Sequence, residues 1–317
     1  MKRELSPHGI SMWRHFFNRE RTADELTDSM IRWQEQWNWD FMKVNPPACY
    51  HAVAWGAEYE FFDDPFREPE LRKPVITTTE DVDKIQILDP TKGELGEQLK
   101  VIRNLRVYFG PELPMLETVF SPIEIAHRLL TGREALSSMW RRSPKSVHIL
   151  LNRITKTFTQ FCLKALDAGA NGIFFATKWA RKDLLTWEEY TEIGTTYEMQ
   201  LLNALNDRGA LVVLHVCGDR TYLENMLDYP VDAFSYDFFA DGVVDPETVV
   251  SRSGKQVIGG IDPELLSKDS KATADKCKKY KAIDKWIAGP SCVVPPGVSD
   301  QAIEEFLTHL AIDHPRF

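Results

Sequence analysis

One histidine and two cysteines stand at positions where a metal-dependent reaction could take place. The apolar run Leu211–Val216 predicts a strand, and His215 and Cys217 lie two residues apart, so their side chains point to one face. Gly218 marks the turn after this strand, and a later apolar run ends close to Cys292. An imidazole and two thiolates can bind zinc with the fourth position open, as in catalytic zinc sites. These residues therefore predict a zinc site at which substrate could bind.

A core position is the competing interpretation for each of these side chains. Cysteine is among the most buried residue types, and a histidine beside it can be satisfied by a hydrogen bond in the core. The H-x-C pair is a weak motif, and Cys292 lies 75 residues after Cys217 (292 − 217 = 75). Cys49, Cys162 and Cys277 are predicted to have no ligand role. Residue spacing alone therefore does not decide between a zinc site and positions in the buried core.

Three carboxylates fall at or near the carboxyl ends of predicted strands. Glu117, Asp237 and Asp262 could each orient the histidine or act as a transient fourth ligand. Alternatively, each carboxylate could cap a helix or order a loop. This role suits Asp262 best, because the following Pro263 is typical of the first position of a helix. Glu117 and Asp237 are therefore the two carboxylates predicted to take part in substrate binding.

The chain around these residues alternates short apolar runs with long amphipathic segments. A typical helix covers 187–206 and begins with a capping box formed by Thr186 and Glu189. The predicted strands are 115–120, 172–176, 211–216, 233–236, 256–261 and 286–294, with 40–44 and 9–13 as two more near the amino terminus. Strands separated by helices form parallel βαβ units, and about eight such units close into a barrel.

The predicted fold class is α/β, a single-domain (β/α)8 TIM barrel over residues 1–317 with an N-terminal helical extension. The extension includes the aromatic-rich segment 22–37, whose apolar residues have near-helical spacing. No internal repeat or Gly/Ser linker marks a domain boundary. A doubly wound sheet is the alternative, but its Gly-rich phosphate turn, G-x-G-x-x-G, does not occur in the sequence.

Composition and charge narrow the class of protein further. Of the 317 residues, 43% are hydrophobic and 27% are charged, as in ordinary globular proteins. Lysine plus arginine is 38 and aspartate plus glutamate is 47, so the net charge is −9 (38 − 47), which disfavours nucleic acid as a partner. The sequence contains no run of roughly 18 apolar residues and no export signal, and its five cysteines suit a reducing compartment. We therefore expect a cytoplasmic protein that binds neither nucleic acid nor membrane.

Four segments, taken in order, resemble one known superfamily. They are His215–Gly218, Phe234–Asp237, Val257–Pro263 and Cys292–Gly297, and the similarity also takes in 39–57 and 167–176. Their order and spacing are similar to those of the uroporphyrinogen decarboxylase superfamily, whose members are (β/α)8 barrels. The resemblance covers most of the chain and implies the same fold.

The porphyrinogen decarboxylases of this superfamily differ from the present sequence near the amino terminus. They carry an arginine-rich segment, R-Q-A-G-R, that binds substrate carboxylates, and an aspartate in a later F-S-D segment that holds the pyrrole N–H groups. Here the first segment, 12–21, has its arginines in shifted positions, and the second, 40–47, has no aspartate at that place. Lys43 and Asn45 stand there instead, so we expect them to contact substrate. Porphyrinogen decarboxylation is disfavoured.

A second branch, the corrinoid-dependent methyltransferases, has a zinc-binding pattern that three residues of this sequence match one by one. Its members, which include the methylcobalamin:coenzyme M methyltransferases, bind zinc through an H-x-C pair and a distant cysteine, and His215, Cys217 and Cys292 fit this pattern. The resemblance implies a zinc-dependent methyltransferase that moves a methyl group from a methyl-corrinoid, free or on a partner corrinoid protein, to a thiol or similar acceptor. Two other functions stay open. One is a metal-independent decarboxylase of a porphyrinogen or other carboxylated substrate, and the other is a non-catalytic accessory protein that binds a tetrapyrrole or corrinoid.

Overall fold

Strands and helices alternate along the chain in the computed structural model, which describes residues 5–311. The strands are β1 (Met42–Val44), β2 (Glu58–Glu60), β3 (Glu70–Lys73), β4 (Met115–Phe120), β5 (Gly172–Thr177), β6 (Leu211–Val216), β7 (Ala233–Tyr236), β8 (Gln256–Ile261) and β9 (Trp286–Pro290). The helices are α1 (Ala23–Trp37), α2 (Tyr50–Val53), α3 (Gly93–Phe109), α4 (Pro122–Leu129), α5 (Arg133–Arg142), α6 (Pro144–Asp167), α7 (Trp187–Tyr190), α8 (Thr196–Asp207), α9 (Pro246–Ser253), α10 (Pro263–Leu266), α11 (Ser270–Lys278) and α12 (Asp300–Leu310). Short 3₁₀ turns occur at Thr79–Lys84, Leu223–Met226 and Lys279–Ala282, and a π-helical turn joins α7 to α8 at Thr191–Thr195. Among these helices, none is both long and apolar enough to cross a membrane.

Seven of the strands form one parallel sheet in the order β1-β4-β5-β6-β7-β8-β9, and the segment around Ile10 joins its two edges. Ile10 forms a parallel bridge with Ala288 of β9, and the Ser11 N–H donates to the Ala288 carbonyl at 3.0 Å. On the other side, the Asp40 N–H donates to the Ile10 carbonyl at 3.1 Å, just before β1 begins. The sheet therefore closes on itself, and the predicted (β/α)8 barrel is confirmed.

Besides β1, which begins at Met42 and not at residue 40 as predicted, two elements are shorter than the apolar runs that predicted them. The segment 9–13 forms only an isolated bridge, because the Asp40 carboxylate accepts the Ile10 N–H at 2.6 Å in place of a backbone carbonyl. The run predicted at 286–294 ends as a strand at Pro290, a residue without an N–H donor. The sequence pattern thus located both elements but not their ends.

The hairpin of β2 and β3 lies outside the barrel sheet and is not predicted from the sequence. Its strands are short, charged and largely exposed, so they lack the apolar alternation that indicates a half-buried strand. Ion pairs cross it instead, from Lys73 to Glu58 at 2.8 Å and from Arg72 to Glu60. The hairpin is stabilised by the backbone pairing of its two strands and by these ion pairs.

Alternation along the barrel strands separates an inner layer of side chains from an outer one. The inner cluster contains Leu116, Phe174, Val213, Ala233, Ile258 and Ile287. The alternate residues of each strand face the helices, and a larger hydrophobic cluster fills the space between the sheet and the helices. Helix α1 packs on α3, and its Leu26 and Met30 share a buried cluster with Met42 and Met115. The aromatic-rich N-terminal helix thus belongs to the ring around the barrel.

Candidate metal centre

His215, Cys217 and Cys292 come together at the carboxyl ends of β6 and β9, and their ligand atoms all lie within 4.8 Å of one another. Within residues 5–311 they are the one group of three or more such side chains that could hold a metal ion. Ligands of a tetrahedral ion at about 2.0–2.3 Å are roughly 3.3–3.8 Å apart. The triangle of one nitrogen and two sulfurs can therefore contract around an ion with small side-chain movements.

His215 is oriented by the neighbouring strand. Its Nδ1 lies 3.1 Å from the Ser235 hydroxyl, and the two residues face each other in the β6–β7 register. Its Nε2 is buried and has no hydrogen-bond partner among the described residues. With the Nδ1–H donated to Ser235, Nε2 keeps its lone pair, and leaving that lone pair buried and unpaired costs free energy. The orphaned nitrogen fits a metal ligand.

The half-buried thiols of Cys217 and Cys292 have opposite pKa shifts because one hydrogen bond joins them. The Cys217 thiol donates a hydrogen bond to Cys292, and this bond together with burial raises the pKa of Cys217. The same hydrogen bond, followed by the effect of nearby His215, lowers the pKa of Cys292 well below its usual range against the cost of burial. The pair by itself thus favours a single thiolate. A bound cation would stabilise both thiolates.

Cys217 is held in place through the end of β5. Its N–H donates to the Thr177 carbonyl at 3.0 Å, which continues the strand pairing one residue beyond β6. The Thr177 hydroxyl lies 2.9 Å from the Tyr190 hydroxyl, which donates to Glu198 at 2.6 Å. This buried network fixes the last residue of β5 and with it the backbone of Cys217.

A cavity of about 270 Å³ opens beside the candidate metal centre. Side chains from the barrel interior form its wall, among them Lys43, Thr118, Phe174, Ala176, His215 and Cys292. The hairpin contributes Tyr59, Glu68 and Pro69 from outside the barrel, so it closes part of this space. The volume is close to the lower end of the roughly 300–1,000 Å³ typical of small-molecule sites.

Lys43 and Asn45 both face the cavity, where the resemblance implies substrate contact. The Lys43 ammonium donates to the Asn45 side-chain carbonyl and lies 4.9 Å from the centre of the Phe174 ring. Burial lowers the pKa of Lys43 to about 7, against the opposing effects of Cys292 and Glu117. The amine can therefore exchange a proton near neutral pH.

Glu117 lies on the other side of the sheet from the cavity. Thr118, the next residue along β4, lines the cavity, and successive side chains of a strand alternate between faces. The Glu117 carboxyl is fully buried, its two oxygens have no hydrogen-bond partner among residues 5–311, and burial raises its pKa well above the usual range. The structure does not bring this predicted substrate-binding residue to the cavity, because its position near a strand end did not specify its face.

Asp237 follows β7 and is also absent from the cavity wall. It accepts the Phe239 N–H at 2.9 Å, and burial raises its pKa, with nearby acidic groups adding to the effect. Asp262 caps α10 by accepting the N–H groups of Glu264 and Leu265 at 3.1 and 3.0 Å. Loop ordering and capping thus account for the contacts of both aspartates.

Two cations of the cavity wall, Lys178 and Arg128, are missed by the sequence analysis. Lys178 lies two residues after Ala176, so continued alternation from β5 could have placed it on the inner face. Arg128 stands on α4, where it pairs with Glu124 at 3.1 Å. Nothing in the sequence pattern indicates that this helix turns its arginine towards the cavity.

The protein is a closed parallel (β/α)8 barrel. Its histidine–cysteine–cysteine cluster and its cavity lie at the carboxyl ends of the strands, where barrel enzymes have their active sites. The family model described as Uroporphyrinogen decarboxylase (URO-D) matches residues 12–311. The chain belongs to this family.

Relatives of known name were found in sequence and in structure. Uroporphyrinogen decarboxylase of Escherichia coli O81 (strain ED1a) is 29% identical over 209 residues, which are 62% of this chain and 57% of that protein. The enzyme of Salmonella typhimurium (strain LT2) is 28% identical over the same share. The similarity thus spans less than two thirds of these relatives' length. A methyltransferase from Methanosarcina mazei has the same fold, with a TM-score of 0.81, 14% identity, and 97% of this chain and 94% of that chain covered.

Proposed function

We propose that the protein is a zinc-dependent methyltransferase that moves a methyl group from a methyl-corrinoid to a thiol. The observation that carries this proposal is the meeting of two thiols with the unpaired Nε2 of His215 beside a cavity. Membership of the URO-D family and the shared fold with the Methanosarcina mazei methyltransferase support it. His215, Cys217 and Cys292 would hold the zinc ion.

Bound zinc would act as a Lewis acid that lowers the pKa of a substrate thiol and holds it as the thiolate. Cys217 and Cys292 would bind the ion as thiolates and His215 as a neutral imidazole, so the protein ligands would offset the charge of a divalent ion. The substrate sulfur then keeps enough electron density to form a bond to the methyl carbon. On transfer, the carbon–cobalt bond of the donor would break with its electron pair left on cobalt, and the proton of the thiol would have passed to solvent.

The direct test is methyl transfer from methylcobalamin to a small thiol by the zinc-loaded protein. We expect the methylcobalamin spectrum to change only when thiol is present, together with formation of the S-methyl product. Thiol binding should release about one proton at a pH below the thiol pKa near 8.5, measured by calorimetry in buffers of different ionisation enthalpy. If no thiol is methylated and none changes the X-ray absorption edge of zinc, the proposal is wrong.

Uroporphyrinogen III is expected not to be decarboxylated, although the similar curated proteins carry that name. The arginines of the segment 12–21 are engaged elsewhere: Arg14 donates to the Pro296 carbonyl, Arg19 pairs with exposed Asp28 at 2.8 Å, and Arg21 lies over the Phe61 ring. None of the three lines the cavity, so these arginines do not clamp substrate carboxylates there. Chromatography of the reaction products is the measurement. Efficient formation of coproporphyrinogen would establish the decarboxylase function instead.

A further inference from the structure

One histidine of the cavity wall, His15, has no part in the candidate metal centre. Trp13, His15 and Phe17 all line the cavity. The Arg14 guanidinium between them lies 5.3 Å from the centre of the Trp33 ring, on the side of α1. Successive side chains of this segment therefore point to opposite sides, and His15 faces the cavity together with Trp13.

The segment that carries His15 is hydrogen-bonded to the segment that carries Cys292. The Trp13 indole N–H donates to the Cys292 carbonyl at 2.5 Å, and the Val294 N–H donates to the Trp13 carbonyl at 2.9 Å. His15 follows Trp13 by two residues and lines the same cavity as His215 and Cys292. A small molecule held at the candidate metal centre therefore occupies the space that His15 borders.

A buried carboxyl group orients the imidazole of His15. The Glu20 side chain is completely buried, and one of its oxygens lies 3.2 Å from His15 Nδ1 and accepts the Phe16 N–H at 2.8 Å. The His15 ring is also stacked on Phe17, with the ring centres 5.3 Å apart and the planes 10° from parallel. With the Nδ1–H donated to Glu20, Nε2 keeps its lone pair, and it has no hydrogen-bond partner among residues 5–311. This nitrogen is available to a molecule in the cavity.

A histidine oriented by a carboxyl group is an arrangement suited to proton transfer. Imidazole gains and loses a proton near neutral pH, and a carboxylate at Nδ1 stabilises the imidazolium that forms when Nε2 takes up a proton. Four aromatic side chains of the cavity wall offer no site for the proton of a bound thiol, namely Trp13, Phe17, Phe120 and Phe174. A thiol in this space therefore needs a proton acceptor from the protein.

We infer that His15 is a catalytic residue that accepts the proton of the acceptor thiol, and that Glu20 is its positioning residue. This inference rests on the proposed function. The S–H bond breaks and an N–H bond forms at His15 Nε2, while the electron pair stays on sulfur, which can then form its bond to the methyl carbon. The imidazolium afterwards gives its proton to solvent. The net result is the release of one proton per thiol, and the histidine returns to its neutral form.

The rate of proton release on thiol binding tests the inference without a methyl donor. Zinc-loaded protein is mixed with 2-mercaptoethanol and a pH-indicator dye in a stopped-flow instrument. We expect His15→Ala to slow the release about a hundredfold, while the thiol affinity and the number of protons released stay unchanged. Added imidazole should restore much of this rate, because the truncated side chain leaves room for the free base. His309→Ala, at an exposed position on α12, is the matched control and should show the wild-type rate and no response to imidazole.

Glu20→Gln tests the positioning role. The amide oxygen can still accept the Phe16 N–H, but the side chain has no charge with which to stabilise the imidazolium. We therefore expect proton release to slow about tenfold or more at an unchanged melting temperature and zinc content.

The outcomes separate this inference from the proposed function. A wild-type rate of proton release in His15→Ala would overturn the inference, and methyl transfer by the same variant would show that the methyltransferase function stands. If Lys43→Met slows the release and His15→Ala does not, the amine of Lys43 is the proton acceptor and the inference is wrong. If release depends on His15 but no thiol is methylated, the proton acceptor stands and the proposed function fails. Absence of any proton release would reject both.

Discussion

Zinc content is expected to fall from about one ion per chain to a small fraction when Cys217 or Cys292 is replaced by alanine. The cluster offers three candidate ligand atoms, so each replacement leaves only two. Loss of a ligand outright should weaken zinc binding by more than the roughly 10- to 100-fold that is typical of removing a group that only orients a ligand. Elemental analysis after dialysis against a chelator of known strength measures the effect, and methyl transfer should be lost in parallel.

Two further variants make this result specific. Cys277→Ala removes a buried cysteine outside the cluster and should keep full zinc content. Ser235→Ala removes the partner of His215 Nδ1 and should lower zinc affinity by about 10- to 100-fold without abolishing binding. Full retention of zinc by both Cys217→Ala and Cys292→Ala would show that the cluster is not the metal site.

The Gly172→Ala variant is expected not to fold to a soluble barrel. A Cβ atom at Gly172 would lie 1.7 Å from the backbone carbonyl oxygen of Leu211, its register partner in β6. The obstructing atom belongs to a paired strand, so it cannot move aside without breaking the β5–β6 ladder. Ordinary overpacking costs about 1–3 kcal/mol, and this clash should exceed roughly 4 kcal/mol. Soluble yield and thermal unfolding followed by circular dichroism are the measurements.

Gly297→Ala is the matched control for that experiment. A Cβ atom there would meet only the Phe66 ring at 4.0 Å, which is ordinary contact, so we expect wild-type yield and a nearly unchanged melting temperature. A Gly172→Ala protein with a wild-type melting temperature would show that the register between β5 and β6 is wrong. Because the pairing of β5 with β6 also positions His215 and Cys217, such a result would also remove the geometric basis of the candidate metal centre.

Much of the barrel could be predicted because buried parallel strands appear in the sequence as continuous apolar runs. Runs such as Gly172–Thr177 and Leu211–Val216 are buried on both faces, so they contrast sharply with the amphipathic helices between them. The hairpin of β2 and β3 could not be predicted in this way, since charged, exposed strands carry no such contrast. The contribution of this hairpin to the cavity wall therefore could not be predicted from the sequence either.

The sequence by itself determined the order of the strands, the family and the three candidate metal ligands. His215 and Cys217 are two residues apart in one strand, and that period settles their common face without any knowledge of the fold. Only the tertiary structure decided which third side chain lies beside this histidine and cysteine. Closure of the barrel brings the end of β9, and thus Cys292, to within 4.8 Å of the pair. It also turned Glu117 away from the cavity, because the face that a strand presents to the barrel interior depends on its pairing with both neighbours.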